Sequence, residues 1–310
     1  MASLLRIKIV VIELESSFRD ALWRLFHPYA KEFLISGARN LNRNPGYTRA
    51  ELQPDFQNLL QKFKSEVLYF LRNSEARTYF KFGDGDYYFL NSIPKGSAEP
   101  GRRAISKELT ANELKLFRSN ATTADTYLCE ILPENREMFL EVFQNQGIKY
   151  PAEFVYGLIA NRWLLQIPDI KVGLIGAAEK LELIEHLMSF SEYKEYLGID
   201  RFYNYVKIPQ KFACDDLSAR IDEIRIGLEK THCNLYLVGI GHLKSGVLGE
   251  LTKFSNSVFV DIGSGIDALA GVIDKDRPYF GGWVNYQSRV FEYTKIDLLQ
   301  YRRSTIKYLD

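Results

Sequence analysis

The run Lys81-Phe82-Gly83-Asp84-Gly85-Asp86 holds the residues of this chain best suited to chemistry. It follows Ala76-Arg77-Thr78-Tyr79-Phe80, a β-branched and aromatic stretch that predicts a strand ending in a glycine-punctuated turn. Strand side chains two residues apart share a side, so Asp84 and Asp86 are expected to face the same way. Their α-carbons would lie about 6–7 Å apart. Such a pair can hold one hard divalent cation, Mn²⁺ or Mg²⁺, directly or through its waters, with positions left for phosphate oxygens. Gly83 and Gly85 remove the β-carbons that would keep a ligand from the backbone, and both tolerate positive φ. An isolated Asp-x-Asp is more often a plain surface turn, so its surroundings decide.

Those surroundings must be built by the rest of the chain. With 310 residues, 46% hydrophobic and 25% charged, the sequence has length for one large domain or two modest ones around a sizeable core. A net charge of +1 offers no global field for nucleic acid or an acidic membrane surface. Four histidines without HxxxH or HExxH spacing speak against zinc. Three cysteines without CxxC spacing read as reduced thiols in a cytoplasmic protein. Residues 4–12 are apolar but carry Arg6 and Lys8, too short and too charged for a transmembrane segment. No small-residue cleavage site follows them.

Taken in order, residues 16–38 and 50–73 show helical periodicity, the second through Phe56, Leu59, Leu60, Phe63, Val67, Phe70 and Leu71. Residues 1–75 are therefore expected to form a helical extension. Tyr87 to Asn91 could open a helix behind the carboxylate turn and present amides to phosphate. Residues 94–103 form a Gly/Pro-rich loop whose Lys95, Arg102 and Arg103 could close over a diphosphate. Thr110 and Glu113 have capping-box spacing for a helix to about Ser119. Strand-like runs, Asp169 to Gly176, Phe202 to Ile208, Asn234 to Gly241 and Ser257 to Gly263, then alternate with helical ones over 177–190, 216–230 and 246–254. This alternation predicts an α/β fold, an open, mostly parallel, Rossmann-like sheet flanked by helices. Ligands of such sheets bind beyond the strands' carboxyl ends, where residues 83–86, 176–180, 239–242 and 261–267 would all lie. Residues 273–310, aromatic and then basic, read as a C-terminal extension packed on the core.

The Lys-Phe-Gly-Asp-Gly-Asp turn resembles the Arg-Phe-Gly-Asp-Gly-Glu signature of the GT-D-fold glycosyltransferases. Val172 to Gly176, and the run from Val238-Gly239-Ile240-Gly241 to Val260-Asp261-Ile262-Gly263, are similar to that family's later strands, so the resemblance covers about residues 76–272. It implies a catalytic domain over that span, a nucleotide-diphosphate sugar donor (most often UDP), a glycan or glycoconjugate acceptor, and a Mn²⁺ or Mg²⁺ requirement met by Asp84 and Asp86. Lys81, Gly83, Gly85, Arg103, Gly176, Lys180, Gly239 and Gly241 become candidates for donor binding. Asp84, Asp86, Asp261 and His242 become candidates for catalysis, with Asp267 and Glu179 as further possible bases. The chain departs from the family in placing Asp86 where Glu is usual, and in reading Gly-Ile-Gly-His and Asp-Ile-Gly-Ser where Gly-Pro and Asp-Ile-Gly-His are common. Two other readings remain open. One is a Rossmann-type nucleotide binder or methyltransferase using Gly239 to Gly246, although GxGxxG is not met. The other is a non-catalytic interaction module in which the carboxylates only make a turn.

Overall fold

A computed structural model describes residues 54–92, 104–130, 133–160, 162–209 and 211–271. The helix expected over 16–38, the loop over 94–103 with Arg103, and the C-terminal extension over 273–310 lie outside the described residues.

Seven strands form one sheet in the order β3-β2-β1-β7-β6-β4-β5, and every pairing is parallel. They are β1 (Arg77–Phe82), β2 (Thr126–Cys129), β3 (Ile148–Pro151), β4 (Val172–Ala177), β5 (Asn204–Ile208), β6 (Leu235–Gly239) and β7 (Val258–Asp261). The central strands β4, β6 and β7 are buried at every position, as continuous apolar runs covered on both faces require. The sheet is thus more uniform than the sequence implied: all parallel, not mostly so.

One face is covered by α1 (Pro54–Asn73), α5 (Glu153–Ala160), α6 (Ala178–Leu187), α7 (Ser191–Leu197) and α10 (Gly265–Leu269). The other carries α2 (Asp84–Leu90), α3 (Ala111–Ala121), α4 (Pro133–Val142), α8 (Leu217–Lys230) and the short α9 (Lys244–Val247). Helix α1 buries Leu60, Phe63, Val67 and Leu71, spaced three and four apart, in the same core as Tyr79, Tyr150 and Phe154. Phe63 meets the ring of Tyr79 edge-on at 5.3 Å and that of Tyr150 at 5.0 Å. The described part of the expected N-terminal helical extension therefore packs on the sheet. Thr110 caps α3 through the predicted box, its Oγ1 accepting from the Glu113 amide at 3.2 Å.

Two elements carried no usable signal. Strand β3 has four residues and ends in proline, too short for a period-two pattern and confined to the sheet edge. Helix α7 is seven residues long and stops at Gly198, whose φ is 69°. The helix expected over 246–254 begins earlier, as α9, and tightens into 3₁₀ turns over Leu248–Lys253. Gly246 and Gly249 interrupt it, and glycine weakens a regular helix.

From β1 the chain moves outward to β2 and β3, and it comes back last as β7 on the other side of β1. That reversal of strand order falls at the carboxyl ends of β1 and β7, the position where the crevice of an open α/β sheet receives ligands.

Candidate functional site

Three chain segments meet in that crevice. The first is the carboxylate turn, which differs from its sequence reading. Strand β1 ends at Phe82 and α2 starts at Asp84, so Asp84 and Asp86 are the first and third residues of a helix. Residues two apart on a helix do not share a face. Asp84 is exposed at the rim, whereas Asp86 turns inward and is 5% exposed. The Gly83 amide donates to Asp86 Oδ2 at 2.9 Å, a cap that explains why the helix begins so soon. Gly83 has an extended backbone (φ −140°), so the positive φ that a glycine tolerates is not used there. Gly85 matters through proximity instead: a β-carbon on it would come within 3.1 Å of His242 Cε1.

The second segment follows β6. His242 lies in a single 3₁₀ turn (Gly241–Leu243) and stacks on the Phe89 ring of α2, 4.8 Å away and 6° from parallel. Its Nδ1 is 4.0 Å from Asp86 Oδ1. Two residues on, Lys244 opens α9 and turns beneath the rim. Its ammonium donates to Asp261 Oδ2 at 2.6 Å, lies 3.0 Å from Asp86 Oδ2, also donates to the Lys81 carbonyl, and sits 4.7 Å above the Phe80 ring. The third segment ends β7. Asp261, 1% exposed, accepts from the Lys81 amide at 3.2 Å on one oxygen and from the Gly263 amide at 2.9 Å on the other.

Lys81 projects to the opposite face of the sheet, over the Tyr156 ring of α5 at 5.0 Å. It is buried, not presented to a ligand at the surface. Burial opposes its charge, but Tyr156, Asp261, Glu130 and Asp86 more than offset that, and its pKa stays above the ordinary lysine value. Gly263, at φ 48°, leaves room for it, since a β-carbon there would meet Lys81 Cε at 2.8 Å.

The structure thus unites Lys81, Gly83, Asp84, Gly85, Asp86, Gly239, Gly241, His242 and Asp261 around one crevice, but several roles change. Asp261 is a buried brace with both oxygens engaged, so it is not placed as a base. Gly176 and Gly239 are buried where a β-carbon would strike Ile266 of α10, at 3.3 Å and 2.5 Å, so they space helix against sheet and do not cradle phosphate. Lys180 is ion-paired with Asp267 on α10, which accounts for both. Glu179, on the first turn of α6, is only half-buried.

Three residues were overlooked in sequence. Lys244 had a legible signal, because lysine within the small and apolar run Leu243-Lys244-Ser245-Gly246-Val247 is rarely buried without carboxylates to meet it. Tyr156 and Glu130 had none; only the packing of α5 and β2 around β1 puts them beside Lys81. Glu130 accepts from Asn135 Nδ2 at 2.6 Å.

An ion gripped between Asp84 and Asp86 does not fit this arrangement. The two carboxylates diverge, and the inner one already faces an ammonium. Among the described residues, no group of three or more His, Cys, Asp or Glu side chains could hold a metal ion. Nor is any described helix long and apolar enough to cross a membrane.

Fold and site together define an open, all-parallel α/β protein with a charged crevice at its strand-order reversal. No family profile matches the chain, and no curated protein matches it. Among solved structures it is similar to one described as "A New Glycosyltransferase (DUF1792) from Streptococcus sanguinis", at 15% identity and a TM-score of 0.43, covering 66% of this chain and 81% of that one.

Proposed function

We propose that the chain is a glycosyltransferase that moves a sugar from a nucleotide-diphosphate donor, a UDP-sugar, to a hydroxyl of a glycan or glycoconjugate. The observation that carries this reading is the convergence of the Lys81–Asp86 turn, the loop after β6 and the end of β7 on one crevice. These are the segments through which the sequence resembles the GT-D family. The donor's diphosphate would lie over the carboxyl ends of β1, β7 and β6. His242, partly exposed at the rim and backed by Asp86, is the best-placed base. The acceptor hydroxyl would give its proton to the imidazole while its oxygen bonds to the sugar's anomeric carbon. The bond from that carbon to the diphosphate oxygen breaks, and its electron pair leaves with the nucleotide. Phe89 and Gly85 hold the imidazole in place: one by stacking, the other by yielding space. No step is assigned to a divalent ion.

The Rossmann-type alternative loses support from Lys244, whose ammonium is turned down onto Asp86 and Asp261 and so is not offered to a ligand over Gly239 to Gly246. The order β3-β2-β1-β7 also differs from the dinucleotide-binding order, in which the fourth strand lies beside the first.

The test is a thermal-shift titration with UDP, GDP and dTDP, each with and without Mn²⁺, on wild type, Asp84→Asn and His242→Ala. A ligand that binds only the folded chain raises the midpoint according to its affinity. UDP is expected to raise it in wild type, and His242→Ala is expected to keep that shift while losing sugar transfer. A shift with S-adenosylmethionine or NAD and none with any nucleoside diphosphate would reject the reading.

A further inference from the structure

Asp86 and Asp261 come from elements far apart in sequence, yet one ammonium lies 3.0 Å from an oxygen of the first and 2.6 Å from an oxygen of the second. All three groups are buried, at 5%, 1% and 5% exposure for Asp86, Asp261 and Lys244. Two carboxylates turned inward this close together need a cation between them to offset the cost of their burial. Across the sheet, Lys81 contributes its charge from the Tyr156 side, but its own ammonium does not bridge this pair. We infer that Lys244 is a positioning residue that fills the place of a metal ion: it is the resident cation of the Asp86–Asp261 pair, closes that pair to divalent ions, and holds Asp86 with Oδ1 toward His242.

A consequence follows that can be measured without substrate. Shortening Lys244 removes the ammonium but leaves two carboxylates converging on its place, together with the Lys81 carbonyl. Those are hard oxygen donors, and a cavity the size of a lysine head and stem can admit an ion with some of its waters. Lys244→Ala should therefore gain a site for Mn²⁺ that wild type lacks. The inference rests on the crevice being the working site only for its bearing on His242; the cation exchange itself does not depend on what the donor is.

The experiment is Mn²⁺ binding, by electron paramagnetic resonance of the free ion and by calorimetry, without nucleotide. Wild type, Lys244→Arg, Lys244→Ala and Lys244→Ala/Asp261→Asn are compared. Lys244→Ala is expected to bind one equivalent at least about tenfold more tightly than wild type. Lys244→Arg, which keeps the charge, and the double variant, which removes one ligand, should both lose that gain. Should Lys244→Ala be unfolded alone, Mn²⁺ is expected to refold it; failure to do so overturns the proposal. Equal Mn²⁺ binding by wild type and Lys244→Ala also overturns it. Nucleotide binding by wild type is scored separately, so a chain that binds no nucleoside diphosphate but gains Mn²⁺ in Lys244→Ala rejects the transferase reading and leaves the role of Lys244 standing.

Discussion

Charge clusters at the two ends of β1 solve the same problem in opposite ways. At the carboxyl end, Asp86, Lys244 and Asp261 are closed off from water and compensate one another. Toward the amino end, Glu66 of α1 gathers the Lys149 ammonium at 2.6 Å, the Tyr150 hydroxyl at 2.6 Å, the Tyr79 hydroxyl at 3.3 Å and the Arg77 guanidinium at 3.9 Å. There the principal cation, Lys149, is 47% exposed. The Glu66 cluster fastens a helix to the sheet and can borrow water when a partner is lost. The carboxyl-end cluster cannot, so losing any one partner there leaves a buried charge uncompensated.

The comparison is broken most directly at Asp261. Asp261→Ala leaves Lys244 with Asp86 as its one remaining carboxylate partner and strips the Lys81 and Gly263 amides of their acceptor. Removing one partner from a buried pair costs about 3–5 kcal/mol. Denaturant unfolding should show a loss of that order, and a loss near that of an exposed pair would mean the cluster is wetter than its burial indicates.

A smaller effect is expected at Gly263, where no charge is altered. Alanine at φ 48° is strained, and its β-carbon would press Lys81 Cε from 2.8 Å. Together these should cost about 1–3 kcal/mol, read as a lowered thermal midpoint. If Gly263→Ala is neutral, Lys81 is free to move and its placement over Tyr156 is not enforced by the turn.

The same contrast separates what could be read from the sequence from what could not. The α/β order was visible because β4, β6 and β7 carry apolar runs with a glycine at or within two residues of their carboxyl ends, each a local signal. The crevice was visible because such strands end together. The orientation of Asp84 and Asp86 was misjudged because period two was carried past Phe82. The capping geometry of Gly83 and Asp86 won over the strand, a choice of one residue that turns Asp86 inward and leaves Asp84 at the surface. Lys244 lies 158 residues beyond Asp86 in the chain, and only the return of β7 beside β1 brings them together. Local pattern carries no such information, although an isolated lysine in a buried run did call for an acidic partner.

The mildest test belongs to Glu66. Burial raises its pKa, but hydrogen bonds from Lys149 and Tyr150, with the charges of Lys149 and Arg77, more than offset that and hold it below the ordinary 4.5. A carboxylate with a lowered folded pKa adds stability above its unfolded pKa and loses it as pH falls through the folded one. Glu66→Gln should therefore cost only about 1 kcal/mol at neutral pH, since Lys149 is largely solvated. The gap between wild type and variant should be constant from pH 7 down to about 5 and then close as acid protonates Glu66. Urea unfolding of both proteins across that range measures it. A gap that persists once the folded protein's Glu66 is protonated, followed by NMR over the same titration, would show that the glutamine amide is penalised through packing against Tyr79 and Tyr150, not through charge. The amino-end cluster would then be as closed as its counterpart.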